Sequence, residues 1–427
     1  MRFIDTRKSA WEKLDNASKI FPVVANYKDS KVYRLTVELY KDIEADILQE
    51  ALDLSLESFP IYKSTLQRGF FWYYFETSDI YPQVEEESMV PCAEIYLPGN
   101  RNLLFRVNYF KKRINLEVFH ALSDGLGATW FLETLVFHYL AILYKDDLKD
   151  DLPKLDYGAS VSQKMDDSFW KYYSPPSAGE KIPKGKKVKH KKAYQIKGKR
   201  IDENRMRIIE AVMPVNEVLS VAREYGSSLT IFLTSLLLYS IYQNMPKNKL
   251  NKEVVLSVPI NLRGYYPSST ARNFFTTMNI AYDFQEKSPE FEAIVKCVSQ
   301  DFKKKLDEKN VHQQFERFIK LESKFIARIT PRFLKDFFMK IADKLLDKTT
   351  TSSISNVGRF KMAKEFNSYI KQFSSCVSAR DPKITFCSYG DKLSITFTSP
   401  YYDSDIQRVF FQFLSSRNIK IEISANL

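Results

Sequence analysis

Within Phe119-His120-Ala121-Leu122-Ser123-Asp124-Gly125 a histidine is followed four residues later by an aspartate and then at once by a glycine. The chain has only four histidines, so His120 does not belong to a His-rich background. Imidazole has an unperturbed pKa of about 6.5 and can take up and return a proton near neutrality. A positioned base of this kind contributes roughly 10²–10⁴-fold in rate. Asp124 could orient the imidazole directly, as the third member of a triad does. It could instead bind a cation elsewhere and fix the loop that carries His120, which a tight Ser-Asp-Gly turn suits equally well. A third reading is purely structural, with a satisfied strand-end histidine and an aspartate capping the next helix.

The elements that must hold these groups are legible as periodicity. Arg101–Phe110 and Ile114–Phe119 are apolar-rich runs around Lys111-Lys112-Arg113, which predicts a hairpin with a basic turn. Gly125-Leu126-Gly127 breaks the strand, and Ala128–Tyr144 has apolar residues at helical spacing. His120 therefore leaves a sheet just before a helix. Upstream, Lys31–Tyr40 reads as a strand, Ile43–Ser58 as a helix, and Phe70–Phe75 and Glu94–Leu97 as short β runs. Asp146 to about Arg207 lacks periodicity and carries Pro153, Pro175, Pro176 and Pro183; its aromatic run Phe169–Tyr173 is expected to pack on the fold.

Strands then recur at Arg207–Pro214, Glu253–Pro259, Phe274–Phe284, Thr351–Asn356, Lys383–Ser388 and Lys392–Thr398. Helices are expected at Val215–Tyr225, Ser228–Gln243 and Asp403–Ser416. Residues from Pro289 to about Asp347 form a long helical region whose Lys/Phe spacing fits helices with one buried face. The division is a first unit at 1–174, a basic linker at 175–206 and a second unit at 207–427, with α/β (α+β) layers in both.

Composition narrows the function. The 427 residues are 44% hydrophobic and 27% charged, ordinary for a globular chain. With 12 glycines and neither GxGxxG nor GxxxxGK[ST], dinucleotide and P-loop signatures are missing. Cys92, Cys297, Cys376 and Cys387 are scattered, suggesting neither a zinc site nor a disulfide framework. Met1–Lys13 has no apolar signal-peptide core, so the expected setting is cytoplasmic. The apolar helix Leu229–Tyr242 is shorter than the roughly 20 residues of a membrane span and is expected in the core. Ten of the net +12 charges lie in Lys181–Arg200, which has nine lysines, one arginine and no acid. That run reads as a solvated linker, or as a surface for anionic membranes, acidic carriers or phosphates. No nucleic-acid motif accompanies it.

His120 to Gly125 resembles the HxxxDG motif of the chloramphenicol-acetyltransferase-like and condensation-domain superfamily. Further segments agree in order. Val258-Pro259-Ile260-Asn261-Leu262-Arg263 resembles its "vPvnlR", Arg272-Asn273-Phe274-Phe275 its "GNFf", and Ser355-Asn356-Val357-Gly358 its "SNlG". Together they span residues from about 30 to the end, with bacterial alcohol acetyltransferase-like proteins the nearest subgroup. Phe119 replaces the first of two histidines common in relatives, Arg272 stands where many have glycine, and the DFGWG motif of the plant branch is missing.

The resemblance implies two subdomains in a V around a central tunnel with His120 at its middle. In the family the histidine deprotonates an acceptor, which attacks an acyl thioester directly, without an acyl-enzyme. It implies that Asp124 points away from substrate and is held by Arg263, with Gly125 part of the motif. Asn273, Thr277, Ser355 and Asn356 become candidate oxyanion or substrate contacts, against a reading as ordinary strand-end hydrogen bonding. The implied reaction moves an acyl group from acyl-CoA to an alcohol or lipid hydroxyl, with acyl-CoA as co-substrate and neither bound cofactor nor metal. Transfer from an acyl carrier protein thioester, peripheral membrane contact through Lys181–Arg200, and a non-catalytic binding protein on the same fold stay open as alternatives.

Overall fold

A computed structural model describes residues 11–146, 159–173, 192–202, 205–323 and 329–426. Two large sheets carry the fold. The first has the spatial order β12 (Ile370–Val377), β2 (Val32–Leu39), β7 (Arg113–Phe119), β6 (Phe105–Phe110) and β5 (Glu85–Glu86). The second has the order β10 (Phe275–Tyr282), β9 (Val254–Asn261), β11 (Ser352–Arg359), β13 (Lys383–Tyr389), β14 (Lys392–Ser399), β8 (Arg207–Pro214) and β15 (Glu422–Ala425). A small sheet, β1 (Trp11–Lys13), β4 (Tyr73–Thr77) and β3 (Ser64–Arg68), sits beside the first. The chain is thus mixed α/β.

β12 belongs by sequence to the C-terminal segment, yet it pairs antiparallel with β2 in the N-terminal sheet. Its alternation is masked in the sequence because Ser374 and Ser375 interrupt the apolar pattern; both are buried, and the Thr385 hydroxyl donates to the Ser375 carbonyl at 2.6 Å. Glu94–Leu97, expected as a strand, is irregular between Pro91 and Pro98. The β6–β7 hairpin forms as expected, with Lys111 in the left-handed region at φ 51° closing its turn.

The helices are α1 (Phe21–Val24), α2 (Ala45–Ser58), α3 (Gly125–Leu143), α4 (Val161–Met165), α5 (Ser168–Lys171), α6 (Val215–Glu224), α7 (Leu229–Gln243), α8 (Phe291–Lys305), α9 (Glu308–Ser323), α10 (Arg332–Asp347) and α11 (Asp405–Ser415). α3 begins at Gly125, three residues before its expected start, because Asp124 caps it by accepting from the Gly127 N–H at 2.9 Å. It is long and apolar enough to cross a membrane by length and composition, but 67% of its most apolar window is buried here. It packs against α2, while Phe131, Leu132 and Leu135 are fully buried in the N-terminal core.

α7, with α6 and α8, fills the core of the second half. The long helical region from Pro289 divides into α8, α9 and α10, and α10 departs from expectation: none of its residues is buried. In the aromatic run, Phe169 is buried against Phe274 and Phe315, building a third core with Leu262.

Of the basic segment Lys181–Arg200, residues 181–191 lie outside the described residues. Residues 192–200 run along the second half. The Ala193 N–H donates to the Lys348 carbonyl at 3.0 Å and the Tyr194 N–H to the Glu253 carbonyl at 2.8 Å. The Arg200 guanidinium lies over the Tyr401 ring.

Candidate active site

His120 leaves the end of β7 with its N–H donating to the Lys31 carbonyl at 2.8 Å. Lys31 is itself held at φ 57°, a conformation uncommon for lysine, and its ammonium is paired to buried Asp29 at 2.7 Å. The imidazole stacks on Phe21 of α1 at 4.3 Å between centroids and meets the edge of Tyr33 at 5.1 Å. Its surroundings are therefore apolar on two sides, and burial lowers its pKa below the usual histidine value. The ring is neutral at pH 7.

Asn273 decides which nitrogen carries the proton. Its side-chain N–H groups donate to the His120 carbonyl at 2.9 Å and to the Ser18 hydroxyl at 2.9 Å. The amide oxygen is thereby turned toward imidazole Nδ1, 3.3 Å away. An oxygen can only accept, so Nδ1 holds the hydrogen and Nε2 keeps its lone pair. Asn273 is itself buried beneath the His120 loop rather than facing the cavity.

Asp124 makes none of these bonds. Its carboxylate accepts from Arg263 at 2.7 and 3.2 Å and from the N–H groups of Gly127 and Phe274 at 2.9 and 2.8 Å. Arg263 also donates to the carbonyls of Thr270 and Arg272 at 2.9 and 2.8 Å, and both side chains of the pair are nearly buried. Of the roles open to Asp124, the geometry assigns helix capping and bidentate pairing with a cation. The pair ties the N-terminal helix α3 to the loop between β9 and β10.

That junction is tight. A Cβ on Gly127 would lie 2.2 Å from the Ala271 carbonyl oxygen, so only glycine lets α3 approach the loop that carries Asn273. Gly125 is different. A Cβ there would meet only Val357, at 3.9 Å, and would otherwise point into open space.

The open space is a cavity of about 740 Å³ lined by His120, Gly125, Ser228, Ile231, Val258, Arg263, Phe302, Lys303, Ser355 and Asn356, among others. Its origin lies in the second sheet. β9 and β11 run parallel but pair only at Ser352↔Leu256 and Ser353↔Ser257, after which they diverge. The wedge between Val258–Asn261 and Ser355–Gly358 forms the wall opposite His120. Beyond the paired residues, the register of β11 with β13 shifts between Asn356 and Gly358, with Gly358 at φ 101°.

Ser355 and Asn356 line this wall. The Asn356 side chain donates to Thr230 at 3.2 Å and accepts from the Gly358 N–H at 2.9 Å. Thr277 does not line it: the residue is exposed, and its carbonyl accepts from Gln314. The N-terminus of α7, capped by Ser228, and the ammonium of Lys303 place positive charge at the rim. Among the described residues no three His, Cys, Asp or Glu side chains gather as a metal site.

Several residues of this arrangement carry no sequence signal. Ser18 and Phe21 precede the first expected strand, yet one orients Asn273 and the other stacks on the imidazole. Buried Arg272 reaches Asp15 at 3.7 Å and Glu12 at 3.4 Å, anchoring that N-terminal segment. Burial raises the Asp15 carboxyl to about 6, while the Ser18 N–H and hydroxyl both donate to it. The glycine-to-arginine departure is what makes this link.

No family model and no curated protein matches the chain. Solved structures do. Polyketide synthase associated protein 5 from Mycobacterium tuberculosis is 13% identical, with TM-score 0.61 over 95% of this chain and 96% of that one. The first condensation domain of the calcium-dependent antibiotic synthetase, bound to a substrate analogue, is 14% identical with TM-score 0.64 over 96% of both chains. TRI101 from Fusarium sporotrichioides, complexed with coenzyme A and T-2, is 10% identical with TM-score 0.63 over 97% of this chain and 100% of that one. The chain has the fold of the condensation domains and chloramphenicol-acetyltransferase-like acyltransferases. The likeness extends over nearly its whole length.

Proposed function

We propose that the protein is an acyltransferase that moves an acyl group from an acyl-CoA thioester to a hydroxyl acceptor, with His120 as general base. The observation that carries this reading is a neutral imidazole, fixed by Asn273 with Nε2 unprotonated, on the wall of a large, mainly apolar cavity. Nε2 takes the hydroxyl proton as the acceptor oxygen bonds to the thioester carbonyl carbon. The resulting oxyanion is met by the Ser355 hydroxyl from the opposite wall. The carbonyl re-forms as the C–S bond breaks, and the imidazolium returns its proton to the departing thiolate. Holding both reactants against one fixed base supplies the proximity term. Lys303 and the α7 N-terminus suit a phosphate-bearing donor, and a solved structure of the same fold holds coenzyme A.

The test is release of free CoA thiol from acetyl-, butyryl- and longer acyl-CoAs, with and without a panel of alcohols and amines. Alcohol-dependent release supports the proposal and names the donor. Release that needs an amine, or turnover only with a carrier-protein thioester, replaces it with condensation-type transfer. No turnover with any thioester leaves a binding protein on this fold.

A further inference from the structure

The apolar side of α10 faces away from the protein. At 100° per residue, Arg332, Asp336, Met339, Asp343 and Asp347 share one stripe, which is the partly shielded side of the helix. That stripe is pinned by polar contacts: the Arg332 guanidinium to the Gly69 carbonyl at 3.0 Å, the Tyr73 hydroxyl to Asp336 at 2.9 Å, and Arg380 to Asp343 at 3.7 Å and to Asp347. The opposite side carries Phe333, Phe337, Phe338, Ile341 and Leu345, with Phe337 and Phe338 59% and 63% exposed. Phe70 at the β3–β4 turn extends the patch, since the Arg332 N–H donates to its carbonyl at 2.9 Å. An amphipathic helix held by its polar face inverts the usual arrangement, and an exposed apolar patch of this kind marks an interaction site.

The charges say which. All three acids of α10 are paired with arginines on the inward stripe, whereas exposed Lys340 and Lys344 border one flank of the apolar face; on the other, the Lys335 ammonium lies over the Trp72 ring and donates to the Phe71 carbonyl at 3.0 Å. Apolar rings edged by lysines match a surface that offers hydrocarbon below and negative charge above. A second copy of the same face would set lysines against lysines. We propose that α10, with the β3–β4 turn, seats the protein on anionic phospholipid, lying in the plane of the interface. The surface also lies next to the site: α1 packs against α10, and α1 carries the Phe21 ring that stacks on His120. The proposal stands on the surface alone and holds whatever reaction His120 performs.

Flotation of the full chain with vesicles of phosphatidylcholine, or of phosphatidylcholine with phosphatidylserine, tests it. Wild type should float with the anionic vesicles, less so at high salt. Phe337→Asp/Phe338→Asp and Lys340→Glu/Lys344→Glu should each weaken partitioning at least about tenfold. Melting temperature should be unchanged, because these side chains are exposed. Failure to float with anionic vesicles overturns the proposal. So does binding that survives both double substitutions and disappears only when the lysines of Lys181–Arg200 are neutralised. A stable dimer in light scattering, dissociated by Phe337→Asp/Phe338→Asp, would assign the face to a second copy instead.

Discussion

At the scale of single residues, the site separates into one group placed to do chemistry and several that hold it still. His120 lines the cavity; Asp124, Arg263 and Asn273 position the loops around it. Because burial depresses the His120 pKa, the imidazole stays neutral below the usual 6.5. With His120 in the proposed role, the acid limb of kcat/KM should therefore fall below pH 6.5. The same shift has a sign for stability. Below about 6.5 the unfolded chain binds a proton that the folded chain refuses, so this group's contribution is lost as pH falls from there through the folded pKa. A His120→Gln variant should lack that component in denaturant titrations across the window. Arg263→Met should destabilise by about 3–5 kcal/mol, since it leaves a nearly buried carboxylate without its cation. Asp124 and Arg263 were legible together only through the resemblance of two segments 139 residues apart; no spacing rule joins them. Ser18 and Phe21 were illegible because they act through the folded position of a segment that has no periodicity of its own.

At the scale of elements, two neighbouring glycines make opposite predictions. Gly127→Ala drives a Cβ into a backbone carbonyl that cannot step aside, and should cost about 1–3 kcal/mol or more, read as a lower melting temperature. Gly125→Ala adds a methyl to the cavity wall and should leave melting unchanged while raising KM for one substrate. The wedge between β9 and β11 is the element that makes the cavity, and its strands were readable from their alternation. Their divergence was not, because it depends on a parallel pairing that stops after two residues. α10 shows the same boundary. Its 3.6-residue period specifies an amphipathic helix but is identical whether the apolar stripe points in or out, and it is the exposure of Phe337 and Phe338, with the contacts of Tyr73 to Asp336 and of Arg380 to Asp343 and Asp347, that shows it points out.

At the scale of the whole molecule, the two halves are laced rather than merely apposed. β12 crosses into the first sheet, Arg263 reaches Asp124, and Arg272 holds the N-terminal segment. The mixed α/β class and most strands were legible from the chain because local alternation and helical spacing record burial directly. The lacing was not, since a strand filled with buried serines and a long-range ion pair leave no local pattern. This construction gives the central claim, that His120 is the base for acyl transfer in a prebuilt cavity, a direct measurement. Single-turnover transfer from the preferred acyl-CoA to its hydroxyl acceptor should be compared in wild type and His120→Ala, with melting temperature and CoA affinity followed in both. A loss of at least about 100-fold in the transfer step is expected, with fold and CoA binding retained. Transfer at the wild-type rate in the variant would contradict it.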